Sequence, residues 1–259
     1  MRKKEKAVIL SQEKLAPDLY SVWMRTEIAK DAMPGQFISV YTDDKSKLLP
    51  RPFGICEIDH ENGRIRIVYR VTGKNTGTEQ FSRLLPGDSL SVIGPLGNGF
   101  PLEAAKGKEV LILGGGTGIP PLLELVKQLD CDKKQIALGY RDAALFLKDD
   151  FQNQELVYIA TDDGSVGVKG AVMDAIRSYD LHADLIYACG PAPMLRAVKQ
   201  YAQEKGILCY VSVEERMACG VGACLGCVCR TTETDAHSKV KNRRICKDGP
   251  VFLATEVEI

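Results

Sequence analysis

Five of the nine cysteines in this 259-residue chain fall after residue 218, and their spacing is chemical. Cys219-x4-Cys224-x2-Cys227 is followed, after eighteen further residues, by Cys246. This is the spacing of plant-type [2Fe–2S] sites. Two irons bridged by sulfides need four thiolates arriving from several directions. A short loop supplies three of them and a distant residue closes the cage. Gly220, Gly222 and Gly226 lie between the thiols, so the backbone can wrap closely and aim N–H groups at sulfur. Four thiolates also satisfy a structural zinc ion, which stays the alternative. Zinc sites favour paired C-x2-C units, and only one is present. Cys229 is a spare thiol and is read as a non-ligand, because using it would break the spacing. A clustered, odd set of cysteines argues against a disulfide framework.

The second chemical signal is Gly114-Gly115-Gly116-Thr117-Gly118-Ile119-Pro120-Pro121, directly after the apolar run Val110-Leu111-Ile112-Leu113. A glycine-rich turn between a buried strand and a helix admits a pyrophosphate close to the backbone, at a helix N-terminus that favours an anion. The prolines suit the first helical turn, where no N–H is needed. No Lys-Ser/Thr follows, so the loop is not of the Walker A type. Arg141-Asp142 follow the next strand: an acid there favours a free ribose hydroxyl and an arginine a 2′-phosphate. With both present, the expectation is NAD.

The two signals constrain one another. Reduced nicotinamide gives up a hydride, two electrons at once, whereas such a cluster accepts one. A chain carrying both needs a cofactor that works in both modes, and a flavin is the usual one. The β-rich first part offers residues for it. Arg51 suits a phosphate. Phe53 and Tyr69 offer aromatic faces. Gly77 and Thr78, before a predicted helix, offer backbone N–H groups and a hydroxyl. Each taken singly also reads as a surface arginine, a core aromatic or a helix cap.

The elements that must position these residues follow from periodicity. Strands are predicted at 7–10, 19–25, 37–41, 54–58 and 64–71, broken by Pro34-Gly35, Asn62-Gly63 and Pro86-Gly87-Asp88. A helix is predicted over 79–85. Short, closely spaced strands imply a small antiparallel barrel or sandwich. The run Gly94 to Pro101 reads as a domain junction. Beyond it, strands at 110–113, 135–140, 156–160, 184–188 and 208–213 alternate with helices at 121–129, 171–178 and 194–204, the pattern of a parallel α/β sheet. The last stretch shows little periodicity and reads as a segment that a metal must fix.

The pattern resembles the ferredoxin–NADP reductase superfamily, whose flavin barrel carries an Arg-x-x-Ser/Thr motif and whose nucleotide domain carries a Gly-Thr-Gly loop and a late Cys-Gly-Pro, here Cys189-Gly190-Pro191. Three stretches closely resemble one family within it, the electron-transfer subunits of dihydroorotate dehydrogenase B: Glu214 to Cys224, Leu49 to Ile55, and Thr161 to Ser165. The resemblance covers essentially the whole chain. It implies a FAD-binding antiparallel β-barrel over 1–101, an NAD-binding α/β domain over 102–212 and a [2Fe–2S] segment over 213–259. FAD would be held by Arg51, Pro52, Phe53 and Gly54, by Val68, Tyr69 and Arg70, and by Gly77 and Thr78. NAD would lie against Gly114, Gly115, Gly116, Thr117 and Gly118, with Cys189, Gly190 and Pro191 near the nicotinamide. Cys219, Cys224, Cys227 and Cys246 would be the cluster ligands. It also implies a partner subunit carrying FMN that oxidises dihydroorotate, two copies of each subunit, and electron flow from FMN through cluster and FAD to NAD+. Gly54 stands where many members carry Ser or Thr.

Composition narrows the rest. Lys plus Arg and Asp plus Glu are 34 each, so there is no basic footprint for nucleic acid or an anionic membrane surface. The apolar stretch Ala7 to Leu10 is too short for a secretory signal or a membrane span, and a cytoplasmic protein is expected. His60, His182 and His237 share no motif and are read as surface residues. Asp162-Asp163 are expected to touch the nucleotide or cap a helix. Two other functions fit the same motifs: an electron-transfer subunit of an NAD(P)H-dependent ferredoxin reductase or sulfur-reducing complex, and a nucleotide-binding interaction protein with a zinc end.

Overall fold

The computed structural model describes residues 3–234 and 239–259, so His237 lies outside the described residues. Lys3–Ala16 (β1), Leu19–Arg25 (β2), Phe37–Tyr41 (β3), Arg51–Asp59 (β4), Arg64–Arg70 (β5) and Ser89–Leu96 (β6) close into a barrel of order β1-β2-β5-β4-β3-β6. All its pairings are antiparallel. Its interior holds Ile9, Val22, Ile38, Val40, Ile55, Ile65, Ile67 and Val92, β-branched side chains suited to a pleated, enclosed surface. Closure leaves no strand edge to be covered.

Two sequence expectations change here. The Gly94–Pro101 run is not only a junction, because β6 runs through Gly94-Pro95 to Leu96. Gly94 lets Ile38 approach: a Cβ there would stand 2.8 Å from the isoleucine Cγ2. Pro95 falls at the irregularity between the Phe37–Leu96 and Ser39–Ile93 pairs, where a missing N–H is tolerated. The expected 79–85 helix is Gly77–Phe81 (α1), started by Thr76, whose hydroxyl accepts from the Glu79 N–H at 3.2 Å.

The second unit runs Glu109–Gly115 (β7), Pro120–Gln128 (α2), Lys133–Tyr140 (β8), Lys148–Gln152 (α3), Val157–Thr161 (β9), Val168–Lys169 (β10), Val172–Ser178 (α4), Leu185–Cys189 (β11), Ala192–Lys205 (α5) and Leu208–Ser212 (β12). Then come Val228–Arg230 (β13) and Asn242–Arg244 (β14), which pair with each other, Ile245–Asp248 (α6) and Val251–Leu253 (β15). The main sheet has order β10-β9-β8-β7-β11-β12-β15, parallel except for β15, which runs antiparallel to β12. A three-residue strand carries no readable period, which is why β15 was not expected. β7 is buried on both faces: Val110 and Ile112 join one apolar cluster, Leu111 and Leu113 another. No described helix is long and apolar enough to cross a membrane.

The barrel and the α/β unit are locked by buried charge. Arg66 on β5 donates to Glu57 on β4 at 2.6 Å and to the Ser21 hydroxyl at 2.7 Å, and reaches Asp150 on α3 at 3.4 Å. Lys127 on α2 pairs with the same Glu57, and Glu124 on α2 accepts the Ile58 N–H at 2.7 Å.

Candidate functional site

Strand order reverses at β7, with β8 on one side and β11 on the other. In open α/β sheets the crevice beyond the strand ends at such a point is the binding site. The loop after β7 and the loop after β11 meet there. A Cβ on Gly118 would stand 2.4 Å from the Cys189 carbonyl carbon, so only glycine permits that approach. Gly115 and Gly190 both back onto Met194: their Cβ positions lie 2.5 and 2.7 Å from its sulfur. Gly114 is buried, its Cβ position facing Leu138 at 2.9 Å and Ile119 and Leu122 at 3.1 Å. Gly116 faces open space at φ +53, Thr117 is exposed, and Pro191 leads into α5. Among these residues, Thr117 and Cys189 line the cleft that separates the sheet from the barrel.

That cleft, about 270 Å³ in volume, is walled on the barrel side by Pro52, Phe53, Gly54, Val68, Tyr69 and Arg70. A second hollow of about 570 Å³ continues from it and shares Pro52, Phe53, Arg70 and Thr72; Arg51, Gly77 and Thr78 lie along it. The structure thus brings every sequence-selected barrel residue into one groove. Phe53 is half-buried and lines both parts. Tyr69 is nearly closed off, its hydroxyl donating to Gln12 at 3.1 Å and its ring 5.4 Å from that of Phe53. Arg51 lies across Gly77, where a Cβ would stand 2.4 Å from its Nε, and donates to the Leu49 carbonyl at 2.5 Å. Thr78 braces its own loop, accepting the Thr72 N–H at 3.1 Å. The missing hydroxyl at Gly54 has a structural reason: Pro121 of α2 occupies its place, 2.6 Å from a would-be Cβ.

The groove also holds residues that periodicity and motifs did not single out for it. Gly35 and Phe37 come from the barrel, Ser212 and Glu214 from the end of β12, and Met217 precedes the cysteine loop. Ser212 sits opposite Cys189 in the sheet register, and burial pushes the titration of the Cys189 thiol far up. Glu214 is open toward the cleft, but the walls around its carboxyl desolvate it and raise its pKa. Register across β11 and β12 is a tertiary fact with no local sequence signal. Glu214 lies within the Glu214 to Cys224 stretch, which was the available cue.

Cys219, Cys224 and Cys227 lie in one loop, and Cys246 is brought against it, its backbone N–H reaching the Cys227 sulfur at 3.4 Å. Backbone N–H groups already point at the sulfurs. Val221 and Ala223 donate to Cys219 at 3.4 and 3.3 Å, Gly226 to Cys224 at 3.4 Å, and Cys246 to Cys227 at 3.4 Å. Against the desolvation that opposes it, the donors from Val221, Cys224 and Ala223 bring the Cys219 thiol down to about 6. Burial, with Cys227 beside it, pushes Cys246 up to about 12. Three residues of the loop, Gly220, Gly222 and Leu225, have φ between +58 and +88, which curls it around its own sulfurs. Arg244 ties the loop to the fourth thiol's helix, donating to the Gly222 carbonyl at 3.1 Å and to Asp248 at 3.2 Å. Cys229 turns elsewhere, its thiol donating to the Arg243 carbonyl at 3.6 Å.

Residues 214–258 match the iron–sulfur cluster binding domain of dihydroorotate dehydrogenase B, and residues 6–100 match the oxidoreductase FAD-binding domain. The chain is 42% identical over 260 residues, 98% of each chain, to the dihydroorotate dehydrogenase B (NAD+) electron transfer subunit of Bacillus caldolyticus. The corresponding subunit of Caldanaerobacter subterraneus is 41% identical over 257 residues, 99% of each chain. This chain belongs to the dihydroorotate dehydrogenase B electron transfer subunit family. Among solved structures, an NADH-dependent reduced ferredoxin–NADP oxidoreductase superposes with TM-score 0.85 at 29% identity, covering 97% of this chain and 89% of that one. A ferredoxin–NADP+ reductase from Neisseria gonorrhoeae shares the fold at TM-score 0.68 and 16% identity, covering 83% and 94%.

The residues of this family member fit the implied groups. Three thiols of one loop and a fourth held against it by the Cys246 N–H suit a cluster carried by four thiolates. The N–H···S bonds are those a thiolate-bound cluster uses. The groove is long, apolar at Phe53 and Val68, and ends on the Arg51 guanidinium, which suits a flavin ring with a phosphate tail. The histidine readings hold where described: His60 and His182 are exposed. Asp163 caps no helix; its carboxylate accepts the Ser165 N–H at 2.9 Å and shapes the loop after β9.

Proposed function

We propose that this chain is the electron-transfer subunit of an NAD-dependent dihydroorotate dehydrogenase, handing electrons from a catalytic partner to NAD+ in pyrimidine biosynthesis. One observation carries the reading. Glu214 and Met217 line the groove, and Cys219, the first thiol of the cluster loop, comes two residues after Met217. The flavin groove and the cluster loop are therefore neighbours by construction.

Bound FAD supplies the conversion between paired and single electrons, and the [2Fe–2S] cluster supplies passage of single ones. The chain's own residues do the rest. Arg51, with Gly77 beneath it, holds the FAD phosphates. Pro52, Phe53 and Gly54 on one strand and Val68, Tyr69 and Arg70 on the next hold the ring. Thr78 keeps the phosphate loop in shape. Gly114 to Gly118 receive the pyrophosphate of NAD, and Cys189, Gly190 and Pro191 shape the nicotinamide end. Cys219, Cys224, Cys227 and Cys246 would hold the cluster. Hydride transfer needs alignment of two rings rather than a side-chain base, so the glycines and Cys189 act by letting the rings meet. The partner carries FMN, oxidises dihydroorotate, and assembles with this chain as two copies of each in the cytoplasm.

A related reading takes this chain as a subunit of a reduced-ferredoxin oxidoreductase, favoured by the superposition at TM-score 0.85. The 42% identity to the dihydroorotate dehydrogenase subunit outweighs it. Mixing the chain with its FMN partner, dihydroorotate and NAD+ is expected to yield orotate and NADH. No orotate with any FMN partner, together with ferredoxin-dependent NADH chemistry, would favour the second reading. A colourless protein holding zinc and no iron would end both.

A further inference from the structure

Ser39 stands in the middle of β3, and its side chain leaves the barrel on the side where the cysteine loop packs. It is 1% exposed. Among the described residues its hydroxyl is the one buried side-chain oxygen or nitrogen without a hydrogen-bond partner. The layer between the barrel and the cysteine loop is apolar: Phe37 and Leu96 are buried in one cluster, with Met217 and Val221 packed against it. An unpaired hydroxyl in such a layer is costly, and alanine would fill the space without that cost.

What the hydroxyl faces is the cluster loop. A Cβ on Gly220 would stand 2.7 Å from Ser39 Oγ, with Leu96 Cδ1 next at 3.5 Å. Gly220 directly follows Cys219 and adopts φ +68, so the loop turns a Cα bare of side chain onto the serine. Three of the loop's N–H groups are already given to sulfur, those of Val221 and Ala223 to Cys219 and that of Gly226 to Cys224. The barrel contributes a single further donor at this point, and in the protein alone it has nothing to donate to.

We propose that Ser39 donates an O–H···S hydrogen bond to the [2Fe–2S] cluster on its Cys219 side, and so sets the cluster's reduction potential from the flavin barrel. This rests on the four cysteines holding that cluster. Reduction adds one electron and negative charge on the sulfurs. A hydrogen bond to sulfur strengthens with that charge, so the donor stabilises the reduced form more than the oxidised one. Ser39 is a positioning and tuning residue, not a ligand.

The test is a potentiometric titration of the purified chain with its FAD and cluster, followed by the electron paramagnetic resonance of the reduced cluster. Ser39→Ala is expected to move the cluster midpoint negative, with about tenfold less reduced cluster at a fixed poise, which is about 59 mV for one electron. The FAD midpoint stays in place, and Ser39→Thr, which keeps the hydroxyl, titrates with the unmodified chain. An exchangeable proton coupled to the cluster spin is expected to vanish in the alanine chain alone. If the alanine chain fails to hold the cluster while the threonine chain holds it, the hydroxyl is required, as proposed. An unmoved midpoint in Ser39→Ala, equal shifts in both variants, or loss of the cluster from both overturns the assignment. Absence of iron and inorganic sulfide from the unmodified chain overturns the cluster reading itself.

Discussion

At Gly54 and Pro121 a single close contact joins the two cofactor sites. Gly54 lines the flavin groove, and Pro121 sits in the first turn of the helix that follows the nucleotide loop. A serine at 54 would drive its Cβ into a rigid ring 2.6 Å away and push α2 from the barrel. Gly54→Ser is expected to cost about 1–3 kcal/mol, the range for overpacked sites. NADH oxidation with an artificial acceptor falls as well. Pro121→Ala in the same chain is expected to restore most of the stability, read from a double-mutant cycle of denaturant midpoints. The thiols make the opposite case, a site that stands apart. Cys224 is exposed and belongs to the loop, while the flavin groove is walled mostly by barrel strands. Cys224→Ser is expected to lose iron and sulfide yet keep a full complement of FAD. An iron and flavin count checks it, and loss of both together would contradict the separation.

Among the elements, α2 does most to hold the two units in register. Its Lys127 and Glu124 reach Glu57 and the Ile58 N–H on β4, and Arg66 on β5 closes the network to Asp150 on α3. Glu57 and Arg66 are both 8% exposed. Buried pairs of this kind add little over apolar packing, but removing one member strands the other. Arg66→Met leaves Glu57 with Lys127 alone and is expected to cost about 3–5 kcal/mol. It should also slow hydride transfer, because the flavin strand and the nucleotide loop no longer share a fixed reference. Stopped-flow flavin reduction by NADH measures the second effect. Unchanged stability would mean the network is dispensable.

The whole molecule is organised around one boundary, with a barrel, a sheet and a cysteine loop meeting at the groove. β15 makes the loop part of the sheet, since Val251–Leu253 pairs with β12, whose end carries Ser212 next to Cys189. The cluster segment is therefore anchored to the nucleotide unit at both ends while its loop leans on the barrel through Gly220 and Ser39. On this architecture the chain alone is expected to oxidise NADH with ferricyanide but leave dihydroorotate untouched. Orotate would form only when an FMN partner is added, and activity of the chain alone on dihydroorotate would contradict the division of labour.

The sequence by itself determined the parts. The Cys219-x4-Cys224-x2-Cys227 spacing, the Gly114–Gly118 turn after an apolar strand, and Arg51 with Gly77 were legible because each is a local pattern whose chemistry depends on neighbours along the chain. Most strands and the three longer helices of the α/β unit were legible for the same reason. The tertiary structure alone decided how the parts meet. The approach of Cys246 to the Cys227 sulfur across eighteen residues, the contact of Gly54 with Pro121, the register that sets Ser212 beside Cys189, and the hydroxyl of Ser39 on Gly220 all join residues apart in sequence. Such contacts follow from chain closure and packing, and those leave no period or motif to read.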